Sequence, residues 1–199
     1  MVQNPGAVDA NVTMTFQLET NTAAPLSMTV PANSRTTVHL DDLPGLDDAS
    51  VSTKVTCANG ATINAERAMY FVYYGDNLAS GKSGGHDSIG TLTPSKTWYM
   101  AEGYTGGQFD TWVLVQNPTT KTATVTMKFQ LESGTAPDHV FTLPAGGRQT
   151  VHLNELEGLS AGVSVSTKVT SNVDVVAERA MYFNYYGKDG GSDCVGIPF

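Results

Sequence analysis

Hydrophobic and polar residues alternate with a period of two through much of this chain. Val12, Met14, Phe16 and Leu18 interleave with Thr13, Thr15, Gln17 and Glu19, and Val125, Met127, Phe129 and Leu131 repeat the pattern further on. Successive side chains of a strand point to opposite faces, so this alternation predicts strands with one face buried. Val38 with Leu40, and Val51 with Val55, extend it through segments rich in Thr, Val and Tyr, which suit a pleated, half-buried surface. Turn signals (NPG, LPG, ANG, PAGG) recur at intervals of about 8–12 residues, and no long window carries a 3.6-residue period. Six or seven short antiparallel strands in about 100 residues is the pattern of a β-sandwich.

The pattern occurs twice. VQNP at Val2–Pro5 returns at Val115–Pro118, and TMTFQLE at Thr13–Glu19 returns as TMKFQLE at Thr126–Glu132. VPANSRTTVHL (Val30–Leu40) matches LPAGGRQTVHL (Leu143–Leu153), and VSTKVT (Val51–Thr56) recurs at Val165–Thr170. AERAMYF stands at Ala65–Phe71 and Ala177–Phe183, and HDSIG (His86–Gly90) aligns with SDCVG (Ser192–Gly196). A tandem duplication of this kind predicts an all-β fold of two tandem antiparallel β-sandwich (Ig-like) domains, residues 1–94 and 95–199, joined through TPSKT at Thr93–Thr97. The first copy lacks a counterpart of Trp98–Leu114, the N-terminal strand segment of the second, which would leave a sheet edge exposed.

Composition narrows the function. A net charge of −8 and the absence of any Lys/Arg run argue against nucleic acid and against anionic membrane surfaces. No apolar stretch approaches the length of a spanning helix, so no membrane insertion is expected. The opening MVQNPGAVDA has neither a basic nor an apolar leader region, and it reads as a piece of something longer, so this terminus does not give the localisation. Cys57 and Cys194 occupy non-equivalent places (Ser171 is the counterpart of Cys57). Free thiols and a disulfide, within or between chains, both stay open.

Each AERAMYF puts a glutamate beside an arginine. Neighbours on a strand point opposite ways, so Glu66 and Arg67, or Glu178 and Arg179, cannot act on one substrate. An arginine among Met, Phe and Ala calls for a carboxylate partner, because an unpaired buried guanidinium costs roughly 3–5 kcal/mol. Glu102 is the expected partner of Arg179, or of Arg67, and these are read as structural ion pairs.

Other motifs are weaker. Gly81–Gly85 fits GxSxG, but in a glycine-rich loop with no helix behind it, and its counterpart GKDGG (Gly187–Gly191) has no serine. A phosphate loop would need glycine where Asp76 stands. His39 and His152, equivalent in TVHL, read as solvent-facing strand histidines, and His86, Asp87 and Ser88 are adjacent rather than convergent. Asp41, Asp42, Asp47 and Asp48, with Glu155 and Glu157 in the second copy and Asp76, Asp87, Asp189 and Asp193 elsewhere, are the calcium candidates; no other metal or cofactor is expected. Trp98, Tyr99 and Trp112, with Tyr104 and Phe109 near them, form a candidate aromatic contact surface, either for glycan or for domain packing. FDTWVLVQ is apolar on both faces, as a doubly covered strand would be.

WYMAEG (Trp98–Gly103), FDTWVLVQNP (Phe109–Pro118), the PAxxR turns (Pro31–Arg35, Pro144–Arg148) and AERAMYF together resemble a bacterial family of tandem β-sandwich repeats on large secreted or surface-anchored proteins. The resemblance covers nearly the whole chain. It implies a non-enzymatic extracellular or cell-surface module, structural or adhesive, in a stalk, array or filament. Its expected partners are like domains or neighbouring copies, self-association by strand addition included, with a cell-surface glycan as the alternative.

Overall fold

The computed structural model describes residues 1–20, 22–73 and 81–199; Tyr74 and Asp76 lie outside the described residues. The protein is all-β and antiparallel, with single turns of 3-10 helix at Leu40–Asp42 and Leu153–Glu155. It divides into two compact units, Met1–Arg67 and Ala68–Phe199.

In the first unit, β1 (Val2–Asn4), β2 (Ala10–Leu18), β3 (Leu26–Val30), β4 (Ser34–Thr36), β5 (Val51–Cys57) and the start of β6 (Asn64–Tyr73) form two layers. β2 lies between β3 and β5 in one, and β1 lies between β4 and β6 in the other. The inward residues of β2, namely Val12, Met14, Phe16 and Leu18, pack with Val2, Val30 and Leu46 as the core. The alternation of β2 thus becomes burial.

The second unit adds β7 (Lys82–Ile89), β8 (Ser95–Met100), β9 (Phe109–Gln116), β10 (Ala123–Leu131), β11 (His139–Leu143), β12 (Arg148–His152), β13 (Val165–Tyr185), β14 (Lys188–Val195) and β15 (Ile197–Pro198). β13 belongs to both layers. Its first half pairs with β10 and β8, its second half with β9 and β14, and the register shifts between Thr170 and Val175. β9 is paired on both edges, to β12 and to β13; Val113 and Val115 are fully buried on one face, and Trp112 and Leu114 are half-buried on the other. Trp98 from β8 sits fully buried in this core, its Nε1–H donating to Val175 O (2.8 Å) and Ser95 O (3.0 Å).

The repeat register places the junction at Thr93–Thr97, whereas the compact units divide inside β6. The reason is packing: β7 comes from the first copy by sequence, but it lies against β14 of the second. The two glycine-rich segments are strands, not the loop expected from composition. Gly84 and Gly190 lie under the rings of Phe71 and Phe183, where a Cβ would come within 2.9 and 2.8 Å of the ring. In β14, Gly190 pairs with Phe183 and Gly191 with Tyr182. Glycine is depleted in strands in general, but it is required where an aromatic ring lies across the backbone.

The repeated QNP motif has one structural task. Asn117 is fully buried, and its Nδ2 donates to Lys121 O, Leu143 O and Pro144 O, while Oδ1 accepts from Thr119 N. Asn4 does the same with Val8 O, Val30 O, Pro31 O and Gly6 N. Each asparagine ties the end of one strand to the PAxxR turn. Replacing Asn117 by Ala strips buried carbonyls of their donor, and the expected loss is about 2–4 kcal/mol. Urea unfolding followed by tryptophan fluorescence measures it, because both tryptophans, Trp98 and Trp112, are in the second unit. Asn4→Ala should leave that signal unchanged.

Candidate functional site

β9 enters between β12 and β13 and brings a cluster of charge into the second unit. The register sets Trp112 opposite His152, and their rings stack 3.9 Å apart, only 7° from parallel. Two residues back on the same face, Asp110 is fully buried with Oδ1 3.0 Å from His152 Nε2. On the other side of the ring, Glu155 Oε1 lies 3.2 Å from Nδ1. Asn154, next along, fixes the adjoining backbone: it accepts from Thr111 N and donates to Thr105 O and Phe109 O. Burial pushes the His152 pKa down, but the hydrogen bonds and charges of Asp110 and Glu155 outweigh it and leave the value raised above the ordinary 6.5. With both nitrogens held by carboxylates and one face covered by indole, this imidazole is placed to bridge strands.

His152 therefore corrects the expectation of a solvent-facing histidine. Its equivalent, His39, does face solvent: its side chain is 69% exposed against 7% for His152. His39 meets Asp42 at 3.2 Å and Asp41 at 3.8 Å, both on the surface. The two histidines share a sequence context and differ in what lies beside them. β9 covers one, and the first unit carries only the three residues of β1 in that lane.

Arg179 is buried on β13. Its Nη2 lies 3.5 Å from Glu102 Oε2, a carboxylate 72% exposed, and its Nη1 donates to Ser192 Oγ (2.9 Å). Arg67 is half-buried on β6. A second buried pair was not legible in sequence: His86 Nδ1 lies 2.8 Å from Asp193 Oδ1, between the rings of Phe71 and Tyr182. The available signal was divergence between the copies, since His86 aligns with Ser192. Lys82, fully buried, donates to Gln108 Oε1 (3.1 Å) with Asp189 Oδ1 at 3.7 Å.

The aromatic residues separate. Trp98 is in the core, Trp112 lies on His152, and Tyr99 is half-buried between the edge of Phe199 and Lys168 Nζ, 5.3 Å above its ring. Two of that cluster, Tyr104 and Phe109, join Tyr185 and Tyr186 instead. Tyr104, Phe109, Tyr185 and Tyr186 line a shallow cleft of about 330 Å³ with Gln108 and Asn184 at its rim, and Tyr186 is 88% exposed. Asp41, Asp42, Asp47 and Asp48 are all exposed. Among the described residues no three His, Cys, Asp or Glu side chains converge so as to hold a metal ion. Cys57 and Cys194 are both free thiols, their Sγ atoms near Asn59 Oδ1 and Val195 O respectively.

Fold and site thus define an all-β protein of antiparallel, sandwich-like sheets with its buried charges paired across strands. No family model matches the chain, and no curated protein does. Among solved structures it is similar to the crystal structure of Thermotoga maritima 1070, at 16% identity and a TM-score of 0.47, over 54% of this chain and 97% of that one. It is also similar to the Anabaena sensory rhodopsin transducer, at 20% identity and a TM-score of 0.38, over 45% of this chain and 91% of that one.

The histidine makes stability depend on pH. A folded-state pKa raised above 6.5 means that folding favours the imidazolium. The contribution is complete below pH 6.5 and is lost as pH rises through the folded value. Urea midpoints read from tryptophan fluorescence should therefore fall between pH 6 and pH 8, and His152→Gln should flatten that part of the profile.

Proposed function

We propose that the chain is a non-enzymatic structural or adhesive module of a secreted or surface-anchored array or filament, associating with like domains or further copies of itself. The supporting observations are the tandem repeat and its open edges: among the described residues β3, β5 and β11 each pair along one side only, and an open edge is a template for another chain. The buried polar side chains support it too: His152, Asp110, Arg179, Lys82, His86 and Asp193 are each engaged with another side chain. The likeness of WYMAEG, FDTWVLVQNP and AERAMYF to secreted repeats supplies the extracellular setting, and the acidic surface leaves nucleic acid and bilayer insertion outside the reading.

The cleft of Tyr104, Phe109, Tyr185 and Tyr186 favours a second reading, a carbohydrate-binding module. It offers exposed rings for stacking beside the amide side chains of Gln108 and Asn184. Under that reading, Tyr186→Ala abolishes retention on a glycan array.

Light scattering at increasing concentration, with and without reductant, tests the first reading. Mass should rise above the 21.1 kDa of the single chain as concentration increases. Reversal by reductant would assign the contact to Cys57 or Cys194, and persistence would assign it to strand addition. A mass fixed at the monomer value would sink self-association.

A further inference from the structure

The turn between β13 and β14 breaks a local rule. Tyr185 pairs with Lys188, so Tyr186 and Gly187 alone connect the two strands. Both have positive φ, 49° and 74°, as a type I′ hairpin turn requires. Asn-Gly is the usual choice there, because glycine and asparagine enter the left-handed region more readily than other residues. A tyrosine in the first position is strained, and what the strain achieves is exposure. The Tyr186 ring is 88% open to solvent, in the cleft it shares with Tyr104, Phe109 and Tyr185. Strain held at one residue, while the hairpin on either side keeps an unbroken register, marks a side chain with a task outside the fold.

The other rings are held in place around it. Phe109 stacks on Phe183 (5.1 Å, 23°), Tyr104 and Tyr185 meet Phe109 by T-shaped contacts at 5.3 and 5.9 Å, and Tyr186 meets Tyr185 in the same way at 4.5 Å. Tyr104 is seated on Gly106, where a Cβ would come within 2.5 Å of its hydroxyl oxygen.

Polar groups decide what this surface can hold. No Asp, Glu, Lys, Arg or His lines the cleft. Lys82, which donates to Gln108 Oε1 (3.1 Å), is fully buried, with Asp189 Oδ1 at 3.7 Å, so its charge is not offered to solvent. An ammonium only donates, so the Gln108 oxygen is taken and its N–H groups are what remains for a ligand. Asn184 accepts from Gly187 N (3.1 Å) and donates one N–H to Asp189 Oδ1 (2.8 Å), which leaves its other N–H. The matching ligand is uncharged, rich in hydrogen-bond acceptors and apolar on its flat faces.

We propose that this cleft binds a neutral β-1,4-linked glycan of the glucose or xylose type. Every ring hydroxyl of such a sugar is equatorial, so both broad faces present C–H, and the oxygens lie around the edge, within reach of the Gln108 and Asn184 amides. Successive sugars of the chain are flipped, so both faces in turn meet the aromatic surface, and an axial hydroxyl would make one of them polar. A uronic or sialic acid would bring a carboxylate to a cleft without a cation, on a chain of net charge −8. The inference rests on the carbohydrate-binding reading and names its ligand.

Calorimetric titration of the 199-residue chain with cellohexaose tests it, with trigalacturonate and a proline decapeptide as the competing chemistries. Cellohexaose should bind saturably and the other two should not. Tyr186→Asn should weaken cellohexaose binding at least about tenfold, through loss of a stacking ring, and should raise the urea midpoint by installing the residue that the turn prefers. The ligand class is overturned if cellohexaose does not bind, if trigalacturonate or the proline peptide binds as well or better, or if Tyr186→Asn keeps full affinity. A lower urea midpoint for Tyr186→Asn would remove the strain argument and overturn the site. Retention of other sugars on a glycan array, lost in Tyr186→Ala, would leave the carbohydrate reading standing and this ligand class refuted.

Discussion

β9 is the constraint on which the rest of the second unit depends. It is hydrogen-bonded along both edges, so it joins the end of the long β13 to β12; it carries Val113 and Val115 into the core and Asp110, also buried, on the opposite face. In the first unit the corresponding lane holds the three residues of β1, β4 ends at Thr36, and His39 is exposed. Fully burying a Val or Leu contributes about 1.5–3 kcal/mol relative to exposure. Val151, Leu153, Val165 and Val169 are buried to that degree, while their counterparts Val38, Leu40, Val51 and Val55 are half-buried.

Buried charge in the second unit follows from the same strand. A lone buried carboxylate at Asp110 would be costly. Asp110 and His152, with Glu155 at the second nitrogen, form a bridge that holds only when β9 and β12 are in one register. Slipping β9 by one residue would send Asp110 to the opposite face. Arg179 with Glu102 and Ser192, and Lys82 with Gln108, place similar demands on β13 and β7. Ion pairs of this kind are weak sources of stability and strong sources of register.

The alternation in β2 and β10 made those strands readable, and the double-faced apolar run in Phe109–Gln116 marked β9, although its Trp112 and Leu114 face is only half-buried. What escaped sequence reasoning was set by partners distant in the chain. Gly84 and Gly190 look like loop residues until Phe71 and Phe183 are seen lying over them. β13 continues through Ser171–Asp174 with a register shift, while the corresponding stretch of the first copy breaks at Gly60, whose φ of 72° turns the chain between β5 and β6. His86 and Asp193 stand more than a hundred residues apart, and no local pattern relates them. Glu102 was the candidate partner of Arg179 or Arg67 because a buried guanidinium demands a carboxylate, and it lies 3.5 Å from Arg179.

Equal residues in unequal surroundings show where the information resides. TVHL is spelled identically in both copies, yet one histidine has its pKa raised between two carboxylates and the other sits on the surface. The side chain does not choose its environment; the strand in the next lane does. Position in a sheet is a pairwise property, written half in the strand and half in its neighbour. Beside the short β1 the same apolar positions are only half-buried; beside β9 they are core.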